Sequence, residues 1–286
     1  MDLEECEALN DEHVKNICNL LLLRYLSLGA NITTLPKDIS KLKFLETLDV
    51  RRAKAKSLPI PVELIMLPSL IHLLGVLRIQ DVGHELNKLQ VFLSENSNLE
   101  TLAEFVVDQS TVFLQLIHHM NCLKKVKVWF QPPENGNRSY AHLSRPIQEF
   151  IQRSTNMSEA RSLSLNVEGH SQGLLDFPLN ENYYYLKSLK LHGEQGRLPS
   201  FVTKLGNVTE LYLFSPSQLS EDVLTALSSC STLHYLKLMA RQLGKFVVEQ
   251  GAFEEPSTFV HCGAIHDQPG EPGGRSGTAR GALAPL

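Results

Sequence analysis

The chain has 286 residues and a formal net charge of -4, with 43% hydrophobic and 20% charged residues. A mildly acidic balance supplies no global positive field for nucleic acid or an anionic membrane, and no apolar run approaches the roughly 18 residues of a membrane span. The cysteines Cys6, Cys18, Cys122, Cys230 and Cys262 are odd in number, widely spaced and without a C-x-x-C pair, which fits reduced thiols better than a disulfide framework.

The first residues, MDLEECEALNDEH, are acidic and lack an apolar h-region, so they do not read as a signal peptide. Without such a signal, the sequons at Asn31, Asn137, Asn156 and Asn207 are expected to be unused. Met1-Asp2-Leu3 stands where a strand belongs, 28 − 3 = 25 residues before Leu28, so the sequence opens inside a repeat with no polar cap before it. Asp11–Leu22 is predicted to be a helix with Val14, Ile17 and Cys18 as its apolar stripe. The stretch Leu23–Pro59 then states one pattern twice. Leu23, Leu26, Leu28 and Leu35-Pro36 return as Leu45, Leu48, Val50 and Leu58-Pro59, at an offset of 48 − 26 = 22 residues. A leucine frame with a period of about 20–29 residues is that of a leucine-rich repeat. In one repeat Leu26 and Leu28 point inward from a short strand, and Tyr25, Ser27 and Gly29 point outward. Pro36 opens a helical turn over Lys37–Lys43, where Ile39 and Leu42 face the same core. One repeat cannot bury its leucines alone, so neighbours must stack.

The frame continues through Leu67, Leu70 and Leu73, at 73 − 48 = 25. Gly83–Glu95 is predicted helical. Leu99, Leu102, Phe105 and Val107 are answered by Met120, Leu123, Val126 and Val128, a step of 126 − 105 = 21. The polar cluster Gln131–Ser139 predicts a surface loop, and Ile147, Phe150 and Ile151 predict a short amphipathic helix after it, so an insertion occupies about 131–158. Strands recur around Leu163, Leu189, Leu211 and Leu236, at 189 − 163 = 26, 211 − 189 = 22 and 236 − 211 = 25. Residues 1–253 therefore predict an α/β leucine-rich repeat solenoid, a horseshoe with one short parallel strand per repeat on its concave face and helices or irregular turns on its convex face. Residues 254–286 show no repeat frame and are rich in Gly, Pro, Ala and Arg, which predicts a disordered tail. A second reading makes the tail frameshifted repeat sequence. Read one base further on, its codons permit leucine frames centred on codons 259 and 282, with steps of 259 − 236 = 23 and 282 − 259 = 23.

Leu20 to Gly75, LLLRYLSLGANITTLPKDISKLKFLETLDVRRAKAKSLPIPVELIMLPSLIHLLG, resembles the repeat domain of plant cytoplasmic nucleotide-binding leucine-rich repeat disease resistance proteins, especially the cereal coiled-coil type. Phe92–Asp108 and Leu123–Phe130 resemble the same domain further on, and the likeness runs from about Met1 to Phe253. The family's coiled coil and nucleotide-binding domain have no counterpart here, and no G-x-x-x-x-G-K-[ST] occurs. The resemblance implies a cytoplasmic, non-catalytic module that senses pathogen effectors and restrains a nucleotide switch. It also implies protein partners: an effector, a guarded host protein or the receptor's own nucleotide-binding domain. No nucleic acid, membrane or small-molecule substrate is expected. The alternatives are a free-standing repeat scaffold of a signalling pathway and a gene fragment without function.

No catalytic, cofactor or metal motif stands out. G-x-S-x-G and H-E-x-x-H are absent. His118-His119 are adjacent residues that share no face, His261-Cys262 with His266 is too sparse for a metal site, and Glu4-Glu5 reads as a solvated patch. The glycines of GEPGGRSG, at 270–277, follow no strand and so make no phosphate loop. The outward side chains of successive strands remain. Among them Lys125, Lys127, Trp129, Lys190, Tyr212, Phe214, Tyr235 and Lys237 are the candidate protein-binding residues of the concave face, because exposed aromatics make binding hot spots. Packing of Trp129 and Phe214 against a neighbouring strand is the other reading. Arg51, Arg52, Lys54 and Lys56 form a candidate basic ridge beside this face, either a contact for an acidic partner domain or a solvated surface.

Overall fold

A computed structural model of the chain describes residues 1–80, 86–107, 116–130, 144–152, 160–169, 175, 177, 186–194, 196–227, 230, 232–243 and 259–264. The chain divides into two units, Met1–Gln131 and Pro132–Leu286.

In the first unit the strands are β1 (Asp2–Leu3), β2 (Tyr25–Leu28), β3 (Thr47–Asp49), β4 (Leu58–Ile60), β5 (His72–Ile79), β6 (Thr101–Val107) and β7 (Lys125–Phe130). They pair in parallel in the order β1-β2-β3-β5-β6-β7, and β4 lies alongside the second half of β5. The register is the one the leucine period dictates: Leu3 pairs with Leu28, Leu26 with Leu48 and Leu48 with Leu73. Those leucines are buried wherever they lie on the inner face, with Leu26, Leu48 and Leu73 at 0% exposure. Strands β2, β3, β5 and β7 are each entered through a tight turn whose fourth residue donates its N–H to the carbonyl of the first. Leu23 to Leu20 (3.0 Å), Leu45 to Leu42 (3.0 Å), Leu70 to Leu67 (3.3 Å) and Leu123 to Met120 (3.2 Å) are successive copies. In the last three of these turns both terminal residues of the motif are buried and the middle two are exposed or half-buried, so the motif is a burial pattern as well as a spacing; in the first, Leu20 is exposed and Leu23 half-buried.

Among the described residues the helical segments in the return limbs of this unit range from four to 11 residues. Helix α1 spans Asp11–Ile17, capped by Asn10, whose side chain accepts the N–H groups of Glu12 and His13. It ends earlier than the predicted Leu22, because Leu20–Leu23 form the turn that enters β2. Lys37–Lys41 is a 3-10 turn, α2 spans Val62–Ile65 and α3 spans Leu86–Asn96. The predicted start of α3 at Gly83 lies outside the described residues.

The step between β6 and β7 differs from the sequence reading. Leu102, not Phe105, pairs with Val126, and Phe105 pairs with Val128. Inward residues lie four apart in β5 (Leu73 and Leu77), three apart in β6 (Leu102 and Phe105) and two apart in β7 (Val126 and Val128). Extra residues are thus shed one at a time from strand to strand, as β-bulges. Gly75, at φ +142°, and Glu104, at φ 62°, lie within those bulges.

The second unit contains α4 (Ser144–Gln152), which buries Ile147, Phe150 and Ile151, and α5 (Glu221–Leu227). Its strands β8 (Arg161–Asn166), β9 (Leu186–His192), β10 (Glu210–Leu219), β11 (Tyr235–Leu243) and β12 (Phe259–Ala264) pair in parallel in chain order. Leu163, Leu189, Leu211 and Leu236 are in register. Pro216 sits in a bulge between Ser215 and Gln218, one of the few places where a strand tolerates a residue without an N–H. Strand β12 lies beyond Phe253, where the sequence reading ends the repeats. The predicted loop at 131–139 and the tail from 265 onward lie outside the described residues.

Candidate protein-interaction face

On each strand the side chains between the buried ones emerge on the open face of the sheet. In β7 Val126, Val128 and Phe130 are buried, Lys125 is exposed, and Lys127 and Trp129 are half-buried. The bulge of β6 aims Glu104 at this group, and its carboxylate accepts a hydrogen bond from Lys127 Nζ. The same ammonium stands 5.3 Å from the centre of the Trp129 ring, within cation–π range. The indole N–H of Trp129 is buried and has no acceptor among the described residues.

In the second unit register fixes the open face as rungs. Ser188, Glu210 and Tyr235 form one; Lys190, Tyr212 and Lys237 the next; His192, Phe214 and Met239 the third. The rungs interlock into a platform. Lys190 Nζ lies 4.2 Å from the Tyr212 ring centre and Lys237 Nζ 5.9 Å from that of Phe214. His192 stacks on Phe214 at 4.3 Å with 4° between the planes, and Tyr212 meets Tyr235 at 5.2 Å. Burial, followed by the nearby carboxylate of Glu210, holds the Tyr212 hydroxyl above its ordinary pKa. Such a surface offers flat aromatic area at little rotamer cost, with cations at its margin.

Not every outward position is open. Ser27, read from the sequence as outward, is 1% exposed, and Asp49, its partner in β3, is 5% exposed. The reason at Asp49 is Arg51, whose Nε reaches Oδ1 at 3.0 Å and whose guanidinium also reaches Oδ2 at 2.6 Å, covering the carboxylate. That hydrogen bonding raises the Arg51 pKa further. In the basic ridge Arg52 Nε binds Glu4 at 2.8 Å, while Lys54 and Lys56 are exposed. Two of the four ridge cations are therefore answered within the chain. Glu104 and His192 are the neighbours that the candidate set omits. Periodicity could have shown the first, since L-x-x-L-x-x-F-x-V in β6 is one residue longer than L-x-x-V-x-V-x-F in β7.

A family model for the leucine-rich repeat region matches residues 1–266. The chain belongs to the leucine-rich repeat family. Two disease resistance proteins of Oryza sativa subsp. japonica, both named RGA4, are 47% and 46% identical to this leucine-rich repeat chain over 256 residues, 88% of it and 25% of each relative. The disease resistance protein Pik-2 of the same organism is 26% identical over 241 residues, 74% of the chain and 23% of the relative. The chain thus spans about a quarter of the length of these relatives. The crystal structure of PEPR1-AtPEP1 matches 87% of the chain and 33% of its own, at 15% identity and a TM-score of 0.40. Among the described residues no group of three His, Cys, Asp or Glu could hold a metal ion, and no helix is long and apolar enough to cross a membrane.

Proposed function

We propose that this leucine-rich repeat chain is a non-catalytic protein-recognition module of the plant disease-resistance type, acting in defence in the cytoplasm. Its partner is a pathogen effector, a guarded host protein or the nucleotide-binding domain whose switch such a module restrains. Identity of 47% across most of the chain to an RGA4 disease resistance protein supports the family role. The observation that carries the binding role is the platform of Lys190, Tyr212, Phe214, Tyr235 and Lys237. Five long side chains meet there in one register on an open sheet face, with aromatic faces and ammonium groups in mutual contact. The cluster Lys125, Lys127 and Trp129 is a second candidate contact, placed on the first unit.

Co-precipitation of the full chain from infected cereal leaf, with partners identified by mass spectrometry, tests the platform. Tyr212→Ala with Lys237→Glu is expected to lower recovery of a specific partner by at least tenfold, as truncation of a hot spot of about 2 kcal/mol would. A partner retained undiminished by that variant and by Trp129→Ala counts against the open face.

A further inference from the structure

The turns that enter the strands can be compared position by position. Their middle residues are Pro68-Ser69 and Asn121-Cys122 in the first unit, Gly206-Asn207 in the second, and Thr232 in the turn closed by Leu233 and Cys230, all exposed except the half-buried Ser69 and Thr232. These are small or polar, as solvent-facing turn residues usually are. The first two turns break the pattern. Their middle residues are Leu21-Leu22 and Lys43-Phe44, with Leu21 54%, Leu22 80% and Phe44 51% exposed, and Leu20 beside them 48% exposed. Leu22 and Phe44 hold the same turn position one repeat apart. The N–H groups of Glu46 and Thr47 both donate to the carbonyl of Arg24, at 2.8 and 3.0 Å, which sets the two turns side by side.

We propose that these two turn tips are a docking site, distinct from the open sheet face, for an amphipathic helical segment of a partner protein that carries acidic residues beside its apolar stripe. Three observations select that occupant. Adjacent strands lie about 4.8 Å apart, so tips in register present anchors at nearly the 5–6 Å that separates i and i+4 on a helix. The exposed apolar area is on the order of 400 Å², typical of a functional patch but about half of one partner's share of a standard interface, so a short segment suits it better than a second copy of the chain. The bordering charge is positive. Arg24 and Glu46 answer each other at 3.2 Å and Lys41 answers Asp38 at 2.8 Å. Lys43, next to Phe44, forms no ion pair among the described residues. The proposal does not depend on the platform's role in recognition.

The test uses the full chain and a fluorescein-labelled 15-residue helical peptide with leucines at i, i+3, i+4 and i+7 and glutamates flanking them. Fluorescence anisotropy is read against the same peptide with lysines for glutamates and against one with serines for leucines. The glutamate peptide is expected to bind best. Leu22→Ser with Phe44→Ser should weaken it at least tenfold and Lys43→Glu about threefold, while Tyr212→Ala leaves it unchanged. Both positions are exposed, so thermal melts of the variants should overlay the parent's. Equal binding by the double variant, or by glutamate and lysine peptides, overturns the proposal. So does sedimentation showing self-association of the parent that the double variant abolishes, because a second copy would then occupy the patch.

Discussion

Gly75 shows how one residue can be fixed by its neighbour. Its φ of +142° suits glycine, and a Cβ there would lie 2.5 Å from Val50 Cγ2. Gly75→Ala therefore combines strained backbone with a clash and is expected to cost about 2 kcal/mol. Gly206→Ala, with nothing within 4 Å, is the control and should change stability by less than about 0.5 kcal/mol. Urea midpoints of the two variants make the comparison. Asp11 is fixed in another way. Its carboxylate accepts from Thr33 (N–H 2.9 Å, hydroxyl 2.6 Å) and from Thr34 (N–H 3.4 Å, hydroxyl 3.0 Å), joining α1 to the turn of the next repeat. Burial alone would raise its pKa, but these four hydrogen bonds prevail and hold it below the ordinary 3.8. A depressed native pKa means that the ionised form stabilises the fold above the unfolded value, and that this contribution is lost as pH falls through the native value. Asp11→Asn should therefore lower stability at pH 7 and converge with the parent as pH falls below the ordinary 3.8 and through the lower native value, as read by denaturation midpoints from neutral to acid pH. Neither feature stands out in the sequence, because each depends on an atom one repeat away.

At the scale of the element, regular strands were legible and their irregularities were not. Alternation placed Lys125, Lys127 and Trp129 on one face of β7 because side chains on a strand repeat every two residues. The same rule placed Lys190, Tyr212, Phe214, Tyr235 and Lys237 on the face that the register brings together. It failed at β6, where a constant spacing was assumed and Phe105 was matched to Val126. A bulge changes the count on one strand only, so it is defined by a pair of strands and not by either alone. The apolar turn tips are of the same kind. L-L-L-L at residues 20–23 looks like core sequence, and only the turn geometry turns Leu21 and Leu22 outward.

On the scale of the molecule, stability in a repeat array is close to a sum of nearest-neighbour terms. Leu211, at 0% exposure, lies between Leu189 and Leu236. Leu211→Ala is expected to cost about 3 kcal/mol through the cavity it leaves. Amide hydrogen exchange should quicken in β9, β10 and β11, while β2 and β3 keep the parent's rates. Uniform loss of protection along the chain would mean cooperativity longer in range than the repeat.

The sequence by itself determined the repeat, its period and the alternation of buried and outward side chains. Leucine burial is set by spacing along a few residues, and the same spacing recurs until it is unmistakable. Tertiary structure alone decided which outward groups stay available. Arg51 is folded over Asp49, and Arg52 is held by Glu4, 48 residues earlier in the chain. Lys127 is drawn to a glutamate aimed by a bulge, while Tyr212 and Phe214 gain their cations from the strands on either side. Those contacts join residues that are distant in sequence and adjacent in the stack, so composition and periodicity carry no record of them.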